Sequence, residues 1–394
     1  MVIEPKVRGF ICTTAHPVGC RENVKNQIRY VQEKGAIAGG KKVLVLGAST
    51  GYGLASRICS AFGCGAATVG VAFEKPASGN RTASAGWYNT AAFEEEAVKA
   101  GLYAKTIIGD AFSQEIKEKT IALIRADLGQ VDTVIYSIAA PRRTAPDGVT
   151  YSSVLKPIGE TYSDKNIDLK NRAVTNVSVA PATQQEIADT VKVMGGEDWK
   201  LWMEALQDAG VLADGAVTVA YSYIGPKVTY PLYRAGTIGM AKEDLEATAK
   251  EITTLLQPLG GHAYVSVNKA LVTQSSAAIP VVPLYITMLF QLMKEKGLHE
   301  DCIAQIYRMY QDKLYQDVPV VDEEGRLRVD DWELREDIQT AIAQEWARVN
   351  NDNIAQYADF DGYWKDFYNL FGFAVDGVDY SADVSADVKI PSVE

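Results

Sequence analysis

Val43-Leu44-Val45-Leu46-Gly47-Ala48-Ser49-Thr50-Gly51-Tyr52-Gly53 decides the fold. Four apolar residues in an unbroken run suit a parallel strand covered on both faces. The glycines that follow have the spacing G-x-x-x-G-x-G and lead into a helical pattern over residues 54–62. Glycines at such a turn let the backbone reverse sharply. They also let a pyrophosphate reach the N–H groups of the helix N-terminus, where the helix dipole favours an anion.

The alternation continues outward from this turn. Residues 67–73 read as a second strand ending at Glu74, 94–100 as a helix, and 106–108 as a third strand ending at Asp110. Residues 114–128 read as a helix and 131–138 as a fourth strand. This β-α-β-α order predicts an α/β fold: a doubly wound parallel sheet of Rossmann type. Residues 141–181, rich in Thr, Ser and Val, interrupt the rhythm as an inserted β segment of short antiparallel strands. One helical stretch, 184–209, returns the chain to the sheet, and residues 217–224 and 263–267 add two strands. The expected organisation is an extension over residues 1–40, packed on a nucleotide-binding core over 41–274 whose insertion covers about 141–200. Residues 275–394 form a mainly helical substrate-binding cap and tail.

Glu74 lies about twenty residues past the last glycine of the loop, where a carboxylate accepts hydrogen bonds from the ribose hydroxyls of an adenine dinucleotide. The same charge repels a 2′-phosphate, favouring NADH over NADPH. Asp110 ends the next strand, on the side where the adenine lies. Residues 47–51 also spell G-x-S-x-G, the nucleophile elbow of a hydrolase, with Ser49 as nucleophile and His262 or His299 as base. That motif follows the first strand here, earlier than in such hydrolases, and it leaves Gly53 and Glu74 without a role. A purely structural tight turn is the third reading.

A second constellation follows the fifth strand: Tyr221-Ser222-Tyr223-Ile224-Gly225, then Tyr233 and Lys242. In reductases on such a sheet a tyrosine hydroxyl donates to the substrate oxygen and a lysine favours the developing negative charge. Nine residues apart on one continuous helix, the two side chains would point about 180° from each other. They can cooperate only if Tyr233 lies outside the helix, and Gly236 and Gly239 allow a late helix start. Two unrelated residues of a buried connection are the alternative.

At this point the chain resembles, over essentially its whole length, the trans-2-enoyl-CoA reductases and the related V-type enoyl-acyl-carrier-protein reductases. The resemblance rests on His16-Pro17-Val18-Gly19-Cys20, the 47–53 loop, Gly86-Trp87-Tyr88-Asn89, Ala140-Pro141-Arg142-Arg143, Gly195-Gly196-Glu197-Asp198-Trp199, and Val265-Ser266-Val267-Asn268-Lys269 with the residues after it. Tyr233 and Lys242 have the family's Tyr-x8-Lys spacing. The resemblance implies reduction of an enoyl thioester by NADH, with Tyr233 and Lys242 catalytic and Tyr223 contacting substrate. It assigns NADH contacts to Gly47, Ala48, Ser49, Thr50, Gly51, Tyr52, Phe73, Glu74, Asp110, Ala111, Ile138, Ala139, Lys242, Leu271, Val272 and Thr273. No metal and no flavin are expected. The substrate partner is an enoyl-CoA or an enoyl-acyl-carrier-protein, and a monomer is expected from the resemblance alone. The rivals are a carbonyl or alcohol oxidoreductase of the same fold and a non-catalytic NADH sensor.

Composition narrows the partners. Lys plus Arg total 39 against 50 Asp plus Glu, a net charge of −11 that disfavours nucleic acid and anionic membranes. It also disfavours docking of an acidic carrier protein, which leans the substrate toward CoA. Five cysteines do not suggest a disulfide framework. The N-terminus carries no signal-peptide pattern, so the expected compartment is the cytoplasm. Residues 270–293 lack charge, but Pro280, Pro283 and Gln291 and a dense apolar part of only residues 277–290 favour a buried helix over a membrane span. That helix is a candidate wall for the acyl chain. Cys12, His16 and Cys20 form C-x3-H-x3-C, short of the four ligands of structural zinc. Arg142 and Arg143 stand where ligands sit in such sheets and could hold carrier phosphates or face solvent.

Overall fold

The computed structural model describes residues 1–9, 11–276 and 279–393. Seven parallel strands form the central sheet: β1 (Lys42–Leu46), β2 (Ala67–Ala72), β3 (Ala104–Ile108), β4 (Val131–Tyr136), β5 (Leu212–Ser222), β6 (His262–Val267) and β7 (Leu327–Arg328). Their spatial order is β7-β6-β5-β4-β1-β2-β3. The order reverses direction at β1, so a crevice opens at the carboxyl ends of β1 and β4.

Both faces of β1 are covered, as its unbroken apolar run requires. Val43 and Val45 join one core with α1 (Pro17–Lys34), α2 (Gly51–Ile58), the end of α3 (Ala85–Lys99) and α9 (Cys302–Met309). Leu44 and Leu46 join the opposite core with α4 (Gln114–Asp127), α6 (Glu197–Asp208) and α7 (Thr237–Leu256). This alternation is the two-residue period of a strand. A third core gathers α8 (Val282–Glu295), α10 (Glu336–Arg348), α11 (Ile354–Tyr357) and α12 (Phe360–Asn369) around Trp87 and Tyr88 of α3 and Ile390 of the tail. The inserted segment holds two antiparallel hairpins, Arg142–Thr144 with Thr150–Ser152 and Tyr162–Asp168 with Ala173–Val179.

Several expectations need correction. Residues 184–209 form two helices, α5 (Gln184–Met194) and α6, broken at Gly195 and Gly196. The Gly196 N–H donates to Asp244 Oδ2 at 2.8 Å, and a Cβ there would collide with Thr248 on α7. Helix α3 begins at Ala85 rather than at residue 94, and α1 fills much of the expected extension. The division at residue 275 cuts through the sheet layers, because β7 pairs with β6 and α9 packs beside α2. Within the charge-free segment α8 starts at Val282; Ala277 and Ala278, where the helix was expected to begin, lie outside the described residues. Among the described residues no helix is long and apolar enough to cross a membrane.

Candidate active site

The glycine loop sits at the crevice, and each glycine has its own reason. Gly47 has φ 82°, and a Cβ there would overlap the carbonyl of Ser137 just past β4. A Cβ at Gly53 would overlap the Gly47 carbonyl, so that glycine lets α2 pack onto the loop. Gly51, at φ 52°, faces open space. The Gly47 and Ala48 N–H groups both donate to the Val71 carbonyl, tying the loop to β2. Thr50 caps α2 without using its hydroxyl, so the first-turn N–H groups remain available to an anion.

Ser49 Oγ donates to Glu74 Oε1 at 2.6 Å, and Asn89 Nδ2 donates to the Ser49 carbonyl at 3.1 Å. Gly86 on α3 supplies the room: a Cβ there would overlap Glu74 Oε1 and lie 2.8 Å from Ser49 Cβ. Beside Glu74, Phe73 is 75% exposed and lines the crevice with its apolar side chain. A cavity of about 640 Å³ runs from this corner past Asp110 and Ile138 to Lys242. Helix N–H groups, a carboxylate at the end of β2 and an exposed ring fit the pyrophosphate, ribose and base of a dinucleotide.

All the residues expected to contact the cofactor line this cavity except Ala48, Leu271 and Val272. Ala48 is buried beneath the loop. Leu271 and Val272 line a smaller adjoining cavity of about 120 Å³, shared with Thr50 and Gly51.

Tyr233 lies outside α7, which starts at Thr237. Its N–H donates to the Thr229 carbonyl at 2.9 Å, and its own carbonyl accepts from Gly236 and Gly239. A Cβ at Gly239 would collide with the Arg234 carbonyl. The glycines therefore let the helix start against the loop carrying Tyr233. The Tyr233 phenol is buried, which pushes its pKa up, and its ring packs edge-on against Tyr223 at 5.1 Å between centroids. On α7, Lys242 lines the cavity and Nζ donates to the Tyr221 carbonyl at 3.1 Å. Loss of hydration lowers the Lys242 pKa to about 8, with Glu246 opposing the shift.

Some participants escaped the sequence reading. Tyr221 lines the cavity, its hydroxyl 2.5 Å from Ser56 Oγ on α2. Its place near the end of β5, in the quoted stretch Tyr221-Ser222-Tyr223 just before the catalytic candidates, was the available signal. Behind Tyr223 lies Glu333, fully buried, whose Oε1 accepts from Tyr223 at 3.1 Å and from Tyr285 at 2.7 Å. Its Oε2 accepts from the Ala270 N–H at 2.7 Å. No sequence pattern marks that convergence.

The hydrolase reading does not survive. Ser49 gives its hydroxyl proton to Glu74, and His262 sits at the start of β6, the opposite end of the sheet from the loop. His299 is packed against the Phe290 ring and makes no hydrogen bond with Ser49 among the described residues. His16 is consumed as a helix cap: Nδ1 accepts from the Gly19 N–H at the start of α1. Arg142 and Arg143 have different fates. Arg143 is buried on Glu197 and the Lys192 carbonyl, whereas Arg142 is exposed at the cavity rim.

Three family models match. Residues 81–315 match the trans-2-enoyl-CoA reductase catalytic region, residues 2–79 the NAD(P)H binding domain of trans-2-enoyl-CoA reductase, and residues 321–384 a model described as an enoyl reductase FAD binding domain. An NADH enoyl-acyl-carrier-protein reductase of Flavobacterium johnsoniae is 61% identical, with both chains covered completely. An NADH trans-2-enoyl-CoA reductase of Ruminiclostridium cellulolyticum is 56% identical over 99% of each chain. Among solved structures, the Treponema denticola trans-2-enoyl-CoA reductase in complex with NAD superposes with a TM-score of 0.94 at 48% identity, covering all of both chains. The Clostridium acetobutulicum trans-2-enoyl-CoA reductase in complex with NADH gives 0.96 at 46% identity, over 99% of this chain and 100% of that one. The chain belongs to the trans-2-enoyl-CoA reductase family.

Proposed function

We propose that the chain uses NADH to reduce the C2–C3 double bond of trans-2-enoyl thioesters. The observation that carries this reading is the late start of α7, which leaves Tyr233 on a separate loop, packed on the Tyr223 ring, while Lys242 on the helix lines the nucleotide cavity. When bound, NADH supplies a hydride for the β-carbon of the enoyl group. Negative charge then gathers on the thioester oxygen. Burial keeps the Tyr233 phenol protonated, so it donates to that oxygen as charge develops. The Lys242 ammonium adds positive potential and holds the cofactor ribose. Tyr223, edge-on to Tyr233, forms the substrate side of the pocket.

The glycine loop from Gly47 to Tyr52 receives the pyrophosphate, while Phe73, Glu74, Asp110 and Ala111 receive the adenosine. Ile138, Ala139 and Leu271 to Thr273 receive the nicotinamide half. Glu74 selects against a 2′-phosphate. The reading needs no flavin for this chemistry; the segment matching the FAD-named model contributes strand β7, buried apolar side chains such as Trp346, Phe360 and Phe367, and Glu333 behind Tyr223. The protein acts as a cytoplasmic monomer.

Relatives are named for both carriers. The net charge of −11 repels an acidic carrier protein and favours the CoA ester. The test is NADH oxidation with crotonyl-CoA, with crotonyl-acyl-carrier-protein, and with simple aldehydes and ketones. Turnover of the thioesters, fastest with CoA, supports the reading. Turnover of carbonyls alone makes the chain a carbonyl reductase, and tight NADH binding without turnover of any substrate makes it a sensor.

A further inference from the structure

Tyr223 has one hydroxyl proton, and the structure spends it on Glu333. That carboxylate is wholly buried, between Tyr223 at 3.1 Å and Tyr285 at 2.7 Å on one oxygen and the Ala270 N–H at 2.7 Å on the other. Gln339 fixes the frame, donating through Nε2 to Tyr285 Oη and to the Glu333 carbonyl. An ionised carboxylate only accepts hydrogen bonds, so Tyr223 must point its proton backward and can present only lone pairs to Tyr233 and the substrate. A neutral carboxyl changes this. With its proton on Oε1, it donates to Tyr223 Oη while Oε1 still accepts from Tyr285 and Oε2 from Ala270. The Tyr223 hydroxyl proton is then free to turn toward the pocket.

We propose that Glu333 is a positioning residue for the reductase, its proton deciding whether the Tyr223 hydroxyl donates backward to the carboxylate or forward to the thioester oxygen beside Tyr233. The inference rests on the reductase reading. No bond of the substrate changes in this step: one proton passes between water and Glu333, and one hydroxyl rotates. The surroundings suit a group that titrates near neutrality. Loss of hydration pushes the Glu333 carboxyl up to about 7, and Asp330 on its own segment adds to the rise. Opposing it are the Tyr285 and Ala270 hydrogen bonds and the buried Lys269 ammonium after β6. The remaining groups facing it are the phenols of Tyr223 and of Tyr52 on α2.

The test compares wild type, Glu333→Gln and Glu333→Ala in the full reaction with NADH and crotonyl-CoA, from about pH 5.5 to 9. A glutamine stands in for the neutral acid at Tyr223: its carbonyl can face the Ala270 N–H and its amide can donate to the Tyr223 hydroxyl, while Tyr285, whose proton an amide nitrogen cannot accept, turns that proton elsewhere. Wild-type kcat/KM should step down as pH rises through about 7. Glu333→Gln should keep the low-pH rate of wild type and lose that step. Glu333→Ala, which leaves Tyr223 unheld, should lose about tenfold or more in kcat, the size of one lost charge-assisted hydrogen bond. In a Tyr223→Phe background, Glu333→Gln should no longer alter the profile, which a purely structural role would not produce. A Glu333→Gln enzyme that keeps the wild-type step, or falls as far as Glu333→Ala while melting normally, overturns the proposal alone. A wild type inactive on every enoyl thioester overturns the reductase reading and this proposal with it.

Discussion

Gly86→Ala places one methyl group where the nucleotide site has no room. The residue sits in the first turn of α3, remote in sequence from both Ser49 and Glu74, yet its missing side chain is the space the Glu74 carboxylate occupies. An added Cβ would overlap Oε1 and crowd Ser49 Cβ at 2.8 Å. Glu74 is only partly buried, so its carboxylate can swing clear at little cost to the fold. A swing of about 1 Å is enough to take the 2.6 Å Ser49–Glu74 bond beyond hydrogen-bonding distance. Replacing glycine by alanine in a helix returns about 0.5–1 kcal/mol, so the melting temperature of the free protein should hardly move. Cofactor binding should suffer instead. A hydrogen bond to a charged group contributes about 1.5–3 kcal/mol, which raises the Kd for NADH roughly 10- to 100-fold. The preference for NADH over NADPH should narrow with it. Fluorescence titration of both cofactors, beside a melt of the free protein, measures all three. Unchanged NADH affinity in a normally folded variant would mean that Glu74 does not hold the cofactor.

Three further outcomes follow from buried charge and from the nucleotide site. With the Lys242 pKa lowered to about 8, the ammonium is lost as pH rises through that value, so kcat/KM of the free enzyme should fall above about pH 8. A profile flat well beyond that point would contradict the assigned role. Glu94→Ala strands the fully buried Arg57 guanidinium, 3.7 Å away behind the glycine loop, and frees Ser392 of the tail. It should cost about 3–5 kcal/mol in denaturant unfolding, and a loss below about 1 kcal/mol would show the pair to be incidental. Purified protein should show no flavin band in the visible spectrum, and added FAD should leave NADH-dependent turnover unchanged. Stoichiometric bound flavin would overturn that expectation.

The core of the fold was legible because its strands are short apolar runs covered on both faces, and the first three are followed by glycine or an acid at the crevice: Gly47, Glu74, and Gly109 with Asp110. What escaped lacked a period. The first half of α3 is buried all round, so it offers no amphipathic stripe, and only the stretch from residue 94, where half-buried Glu95 and Glu96 and exposed Val98 and Lys99 alternate with buried Glu94 and Ala97, reads as helix. Strand β7 has two residues, too few for any pattern. The break between α5 and α6 exists because Gly196 meets α7, a contact no local propensity encodes. The nucleotide site was legible for the same reason as the strands: its residues cluster at strand ends. Glu333 was not, because Asp330-Asp331-Trp332-Glu333 reads as an exposed acidic turn until folding carries it beneath Tyr223 and Tyr285.

The central claim is that Tyr233 and Lys242 act together on an enoyl thioester beside bound NADH. The most direct measurement follows the nicotinamide absorbance with crotonyl-CoA for wild type and Tyr233→Phe, with NADH affinity measured for both. Wild type should consume NADH, and Tyr233→Phe should lose at least about a hundredfold in kcat, the lower end for removing a general acid, while binding NADH normally. Equal turnover by the two proteins would contradict the account.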